Sequence, residues 1–133
     1  MSKYLLDTCI VAFLFRDKYG IADKLEEVGF QNCYISEVTI AELQTGVERS
    51  SNKYRNQQLL DSFVNLVNVV SFSSVIKRYA KEKIAMNSKG KQITDFDLLI
   101  GCSALENDLI MVTDNVRHFE YIPNIRIENW VDR

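Results

Sequence analysis

Short apolar runs alternate along this chain with longer segments in which apolar residues recur every three or four positions. The short runs are rich in aliphatic, aromatic or β-branched residues, which is typical of buried strands. They cover residues 3–6, 32–35, 67–72, 109–112 and 125–130. Helical spacing instead marks the segment after residue 7, residues 21–28, 36–49, the stripe at 59–67, 75 to before 90, and 94 to about 107.

The alternation of strands with helices predicts a fold of the α/β class, with a mostly parallel central sheet of four to five strands flanked by helices. Polar residues stand where several helices would begin: Asp7 or Thr8 before the first, Ser36 before the third and Thr94 before the last long one. The chain contains no internal repeat, low-complexity tract or linker. We therefore predict a single domain over residues 1–133.

Composition narrows the class of protein. The chain has 133 residues, of which 47% are hydrophobic and 26% charged, which suits one domain with a proper core. One Pro and five Gly argue against disordered or turn-dense all-β chains, and three well-separated Cys residues argue against a disulfide scaffold. No apolar stretch approaches the ~20 residues of a membrane span, and Asp7 interrupts any signal-peptide core. We expect a cytoplasmic protein without a membrane partner.

Four acidic residues stand at places where a parallel sheet can bring side chains together. Asp7 and Asp114 each follow a predicted strand, and ligands bind at the carboxyl ends of parallel strands. Glu42 lies within a helix and Asp97 in the first turn of another. Clustered carboxylates repel one another and stay ionised only beside cations, and oxygen ligands favour Mg²⁺ or Mn²⁺. Zinc is disfavoured, because His118 is the only His and no Cys pair has ligand spacing.

Each acid also has an ordinary structural explanation. Asp7 could simply cap the first helix, and Asp97 could be the third helical residue of a capping box that starts at Thr94. Glu42 could be a solvated helix residue, and Asp114, which Asn115 follows, could belong to a turn. No single acid therefore identifies a site.

Five short motifs in one order identify a family where single residues do not. They are Leu5-Leu6-Asp7-Thr8, Thr39-Ile40-Ala41-Glu42-Leu43, Asp97-Leu98-Leu99-Ile100, Met111-Val112-Thr113-Asp114-Asn115 and Ile127-Glu128-Asn129-Trp130. This arrangement resembles the PIN-domain ribonucleases, and specifically the VapC-type toxins of bacterial toxin–antitoxin pairs. The match spans essentially the whole chain and implies the PIN-like three-layer sandwich.

The resemblance implies an endoribonuclease that uses Mg²⁺ or Mn²⁺ and hydrolyses RNA phosphodiester bonds with metal-activated water, leaving a 5′-phosphate and a 3′-hydroxyl. The resemblance also implies that Asp7 and Asp97 are the main metal ligands and catalytic residues, with Glu42 and Asp114 completing the acidic pocket. Candidates for a supporting role are Thr8, Thr113, Asp95 and Asn115. The resemblance also implies a homodimer held inactive by a cognate antitoxin, with RNA, possibly tRNA, as substrate.

Several positions depart from the family pattern. Cys9 stands where relatives usually have Asn or Ser, and Ile100-Gly101-Cys102 replaces a common Ile-Ala-Ala. The fourth acid varies in position within the family, which makes Asp114 the weakest of the four assignments. Asp95 is an additional acid beside Asp97 and could bind a second metal or favour the helix N-terminus.

Other functions fit the residues less well. A haloacid-dehalogenase-like phosphatase needs a second Asp two residues after Asp7, where Cys9 stands. A cysteine phosphatase needs five residues between Cys and Arg, and six separate Cys9 from Arg16. His118 as a base is less favoured than His118 packed near the surface. The alternative from another class is a non-catalytic PIN-like module that binds RNA or protein, although a pure binder gains nothing from four intact acids.

The net charge of −2 conceals an uneven distribution of charge along the chain, because basic residues are concentrated in its middle segment. Between Arg49 and Lys91 nine basic residues face two acidic ones, so this middle segment carries +7 and the rest of the chain −9. A basic segment beside an acidic, metal-binding site can hold a phosphate backbone or an acidic part of the antitoxin. The RNA-binding candidates are Lys77, Arg78, Lys81, Lys89 and Lys91.

Overall fold

A five-stranded sheet forms the middle layer, with strands in the order β3-β2-β1-β4-β5. The structure, a computed structural model, describes residues 2–133. The strands are β1 (Tyr4–Leu6), β2 (Cys33–Ser36), β3 (Asn68–Val70), β4 (Ile110–Val112) and β5 (Ile127–Glu128). All four neighbouring pairs are parallel. The predicted α/β fold is confirmed, and the sheet is entirely rather than mostly parallel.

Helices cover both faces of the sheet. They are α1 (Thr8–Phe15), α2 (Ile21–Val28), α3 (Glu37–Arg49), α4 (Lys53–Leu66), α5 (Ile76–Ser88), α6 (Asp95–Glu106) and α7 (Val116–Phe119), with 3-10 turns at Phe30–Asn32 and Ser73–Val75. Side chains of Asp7, Ser36 and Thr94 cap α1, α3 and α6 as the sequence predicts. Within residues 2–133, no helix has the length and apolar character needed to cross a membrane.

Two strands end earlier than their apolar patterns suggest. The run at 67–72 pairs only over Asn68–Val70, because Phe72 already leads into the 3-10 turn. The run at 125–130 pairs only over Ile127–Glu128, after which the Asn129 side chain bonds to Asp114. The four-residue helix α7 has no signal in the pattern, since four residues span little more than one helical turn.

The central strand β1 divides the core into two layers. Successive strand residues point to opposite faces, so Leu5 packs on the side of α6 and Leu6 on the side of α1 and α2. Both leucines are fully buried. The carboxyl ends of β1 and its two neighbours therefore meet at one edge of the sheet, where Asp7 follows β1, Ser36 ends β2 and Thr113 follows β4.

Candidate metal centre

Asp7 lies at the centre of this edge, directly after β1. Its Oδ1 accepts a hydrogen bond from the backbone N–H of Thr8 at 2.8 Å, and its Oδ2 accepts one from the Thr113 hydroxyl at 2.8 Å. The Cys9 thiol also lies 3.5 Å from Oδ2. Asp7 is only 4% exposed, so the carboxylate is held in one orientation by groups from two neighbouring strand ends.

Glu42 reaches the same edge from α3. Its Oε1 accepts a hydrogen bond from the Thr8 hydroxyl at 2.6 Å, and that hydroxyl lies 3.1 Å from the hydroxyl of Thr39. Thr8 thus connects the helix that Asp7 caps to the helix that carries Glu42. The sequence assigned Thr8 and Thr113 a supporting role, and in the structure Thr8 contacts both Asp7 and Glu42 while Thr113 contacts Asp7.

Asp97 enters from the first turn of α6. Its backbone N–H donates to the Thr94 hydroxyl at 3.2 Å, so the helix cap fixes its position. Its Oδ2 lies 3.1 Å from Nδ1 of His118, which belongs to α7. Sequence patterns did not predict the contact between His118 and Asp97, because 21 positions separate the two residues and α7 is too short to be predicted.

The charges of these three acids act on one another. Burial raises the pKa of the Asp7 carboxyl above its ordinary value, hydrogen bonds from Thr113 and Thr8 oppose this, and the charge of Asp97 adds to it. Burial likewise raises the pKa of Glu42, and the charges of Asp7 and Asp97 raise it further. Such a group of carboxylates is stabilised by a cation between them.

The donor chemistry fits a hard divalent ion. The ligands on offer are carboxylate oxygens, which suit Mg²⁺ or Mn²⁺ rather than zinc. Among residues 2–133, no three His, Cys, Asp or Glu side chains converge closely enough to enclose an ion. The three acids therefore do not by themselves form a closed metal site within residues 2–133.

Asp114 has its own partners. Its carboxylate accepts two hydrogen bonds from the Arg133 guanidinium, at 2.9 and 2.8 Å, and one from the Asn129 amide at 3.1 Å. The Arg133 bonds and then the Asn129 bond lower the pKa of Asp114 to about 2. The Asp114 carboxylate is therefore bonded to Asn129 and Arg133 of the C-terminal segment.

Asp95 also lies apart from the other acids. Its Oδ1 accepts hydrogen bonds from the Lys83 ammonium at 2.7 Å and the Tyr79 hydroxyl at 2.8 Å, and these contacts lower its pKa. Asn115 contributes its backbone N–H, which donates to the Thr113 hydroxyl at 2.9 Å. Asp95 therefore joins α6 to α5, whereas Asn115 helps to orient the Thr113 hydroxyl that contacts Asp7.

The RNA-binding candidates divide into two groups. Arg78 forms an ion pair with Glu106 at 3.0 Å, and it lines a cavity with Asp108 and Arg126, residues next to the starts of β4 and β5. Lys77, Lys81 and Lys89 are exposed on α5 and just beyond it. Lys91 places its ammonium 4.2 Å from the ring centroid of Tyr121, so it lies against an aromatic side chain.

The sequence of this chain is similar to those of known proteins over nearly its full length. Residues 4–124 match the model of the family described as PIN domain. The chain is 36% identical over 132 residues to Ribonuclease VapC2 of Rickettsia felis, covering 96% of this chain and 97% of that protein. It is 29% identical over 131 residues to the tRNA(fMet)-specific endonuclease VapC of Shigella flexneri, covering 98% of this chain and 99% of the relative.

Solved structures show the same likeness in three dimensions. The crystal structure of VapBC2 from Rickettsia felis, bound to a DNA fragment from their promoter, contains a chain that superposes with a TM-score of 0.87. The two chains are 32% identical, and the match covers 96% of this chain and 98% of the other. The fold and the order of its elements are therefore shared over nearly the full length.

Proposed function

The chain belongs to the PIN-domain family, and from this membership we propose that it is a metal-dependent endoribonuclease and the toxin of a toxin–antitoxin pair. One observation carries the proposal: Asp7, Glu42 and Asp97 come from three separate elements, and the charge of Asp97 helps to raise the pKa of both Asp7 and Glu42. The nearly full-length similarity to VapC ribonucleases supports RNA as the substrate.

We propose Mg²⁺ or Mn²⁺ as the cofactor, held by Asp7, Glu42 and Asp97. Asp114, the fourth candidate ligand, is engaged by Arg133, which would compete with a metal ion for its oxygens. When bound, the ion supplies a Lewis acid that activates water and neutralises charge developing on the phosphate. The chain's own contribution is to orient the carboxylates, which Thr113 does for Asp7.

RNA binding rests on exposed cations of the middle segment. The lysines at 77, 81, 89 and 91 supply positive charge for a phosphate backbone, whereas Arg78 is already paired with Glu106. The Shigella relative is named for its action on tRNA(fMet), so tRNA is the first substrate to test.

An antitoxin segment has a groove available beside the same site. A cavity of about 410 Å³ between α1, α3 and α4 includes the apolar side chains of Phe15, Leu43 and Leu59 and extends to Thr8 and Glu42. A peptide that fills this groove would end at the candidate metal centre and block it. The structural relatives include toxin–antitoxin complexes, which supports a protein partner of this kind.

We also propose a homodimer in the cytoplasm, where the RNA substrate is found. Support for the dimer comes from three apolar side chains that are 42–46% exposed: Val69 on the edge strand β3, Phe72 just after it and Ile76 at the start of α5. Size-exclusion chromatography with light scattering, which measures the molar mass in solution, tests this assembly. A monomer at micromolar concentration contradicts it.

The catalytic proposal is tested by cleavage of labelled tRNA and of unstructured RNA with Mg²⁺, with Mn²⁺ and with EDTA. We expect cleavage with either metal, none in EDTA, and none by Asp7→Asn. The matched control is Asp108→Asn, which removes the same charge at a 97% exposed side chain whose backbone φ of 53° suits Asn. Equal cleavage by both variants, with contamination excluded, would refute the assignment of Asp7.

The toxin role is tested in cells. Expression without the antitoxin is expected to stop growth, and Asp97→Asn at equal abundance is expected to be tolerated. If both proteins are harmless at equal abundance, the chain is not a toxin. Normal RNA binding by a protein that never cleaves would instead favour the alternative, a PIN-like binding module.

A further inference from the structure

A small pocket opens beside Asp97, outside the group formed with Asp7 and Glu42. Its volume is about 180 Å³, and its lining consists of Gln92, Ile93, Thr94, Asp97, Arg117 and His118. One wall is the segment that leads into α6, and the other is α7. Because the pocket includes Asp97, any molecule in it lies directly against an acid of the candidate metal centre.

The pocket contains a guanidinium group that is free to bind an anion. Within residues 2–133, Arg117 is exposed and takes part in no side-chain hydrogen bond or ion pair. By contrast, Arg78, Arg126 and Arg133 are each paired with a carboxylate. An unpaired guanidinium presents paired N–H donors that match the oxygens of a phosphate.

Planar and polar groups surround this cation. The His118 ring bonds to Asp97 through Nδ1, lines the pocket and is 56% exposed, so more than half of its surface is accessible. Lys91, which directly precedes Gln92 of the pocket lining, holds its ammonium 4.2 Å from the ring of Tyr121, and that ring is 54% exposed. Proteins bind unpaired nucleotides with exposed rings that stack on the base and with nearby cations that contact the phosphate.

We infer that this pocket binds one nucleotide of single-stranded RNA next to the bond that is cut, with Arg117 on its phosphate and His118 against its base. The inference rests on the proposed function and goes beyond it, because it assigns a position of the substrate to residues outside the acidic group. A bound nucleotide here would place the adjoining phosphodiester beside Asp97.

The test compares Arg117→Gln with Arg126→Gln, an equal charge change at an exposed arginine near the start of β5. The probe is a fluorescently labelled, mixed-sequence single-stranded RNA, and anisotropy is measured in EDTA over a range of salt. Loss of Arg117 is expected to weaken binding roughly tenfold and to reduce the salt slope by about 0.7, the value for one phosphate contact on a single strand. Arg126→Gln is expected to stay within about twofold of wild type.

Two further variants separate position from charge. Arg117→Lys keeps the charge but loses the paired donors, so its affinity is expected to fall between those of wild type and Arg117→Gln. His118→Asn keeps a nitrogen near the position of Nδ1 but lacks the ring, so in steady-state cleavage it is expected to raise KM more than it lowers kcat. A fall in kcat alone would make His118 only a support for Asp97.

The outcomes distinguish this inference from the proposed function. If wild type binds RNA in an Arg117-dependent way but cleaves nothing with Mg²⁺ or Mn²⁺, the catalytic proposal fails and the pocket assignment stands. If cleavage occurs and the two glutamine variants bind RNA alike, the pocket assignment fails. It also fails if wild type does not bind the probe at low salt, or if Arg117→Gln weakens antitoxin binding but not RNA binding.

Discussion

Replacing Thr113 with Val tests how the candidate site is held together. The Thr113 side chain is fully buried, donates to the Asp7 carboxylate at 2.8 Å and accepts the backbone N–H of Asn115 at 2.9 Å. Valine keeps the shape and removes both hydrogen bonds. The bond to a charged acceptor is worth about 1.5–3 kcal/mol, and the loss of the partly buried bond from the Asn115 N–H costs about 0.5–1 kcal/mol.

The expected loss is therefore about 2–4 kcal/mol in the free energy of unfolding. A chain of 133 residues gains roughly 0.28 kcal/mol/K of entropy on unfolding, so Tm should fall by about 7–14 °C. Thr113→Ser keeps the hydroxyl and loses one methyl group, so its expected loss is only about 1 kcal/mol.

The size of this effect should depend on pH. The Thr113 bond lowers the pKa of Asp7, so its removal raises that pKa further above the ordinary value of 3.8. A carboxyl with a raised pKa destabilises the folded state increasingly as pH rises through that pKa. The difference between Thr113→Val and wild type should thus be larger at neutral pH than in mild acid.

Urea unfolding and calorimetry of wild type, Thr113→Val and Thr113→Ser at both pH values measure these differences. Equal stability of the valine and serine variants at neutral pH would refute the reasoning, because the hydroxyl would then contribute nothing through Asp7. A valine variant that loses the same free energy at both pH values would show that the bond does not act on the charged form.

Three other changes probe separate parts of the chain. Asp7→Asn is expected to raise the Tm of the metal-free protein at neutral pH, because burial disfavours the charged carboxylate. Mg²⁺ should raise the Tm of wild type only. A calorimetric Tm of the metal-free variant below that of wild type contradicts the first expectation. Arg133→Gln should raise the pKa of Asp114 from about 2 towards 3.8 in a carboxyl NMR titration. A lowered pKa of Asp114 stabilises the fold above pH 3.8, and this stabilisation is lost as the pH falls through about 2. The Arg133→Gln variant should therefore lose less stability than wild type between pH 3.8 and 2. An unchanged titration of Asp114 would exclude an ion pair with Arg133. Gly101→Ala places a Cβ 2.5 Å from Cδ1 of Ile122. Because this overpacking outweighs the gain in helix propensity, urea unfolding should show a net loss of about 1 kcal/mol in the free energy of unfolding. Adding Ile122→Val, which removes that Cδ1, should restore the lost stability.

The sequence predicted the parts of the site that depend on position along a strand or helix. Asp7 follows a short apolar run, and Asp97 is the third helical residue after its Thr94 cap. Both features are local, so period and capping rules locate them. Parallel topology predicted that Asp7 and Asp114, which each follow a strand, lie at the same edge of the sheet. The place of Glu42 beside them came only from the resemblance to the family. The metal assignment of all four acids stays a prediction.

The contacts that the sequence did not predict depend on tertiary geometry. Arg133 pairs with Asp114 across 19 positions, and His118 contacts Asp97 across 21. Neither pair lies at a helical or strand spacing, so no periodic signal exists for them. Charge counting also overstated the free cations of the middle segment, since Arg78 and Lys83 are engaged by Glu106 and Asp95.

The pairing of β1 with β4 has a consequence for protein synthesis. Asp7 is among the first residues made, yet the Thr113 hydroxyl that orients it lies 106 positions later. Until β4 leaves the ribosome, β1 lacks a neighbour on one side and the carboxylate lacks its donor. Translation at ~5–20 residues per second delays that moment by on the order of ten seconds. A growing chain of this topology therefore cannot form the contact between Asp7 and Thr113 until its synthesis is nearly complete.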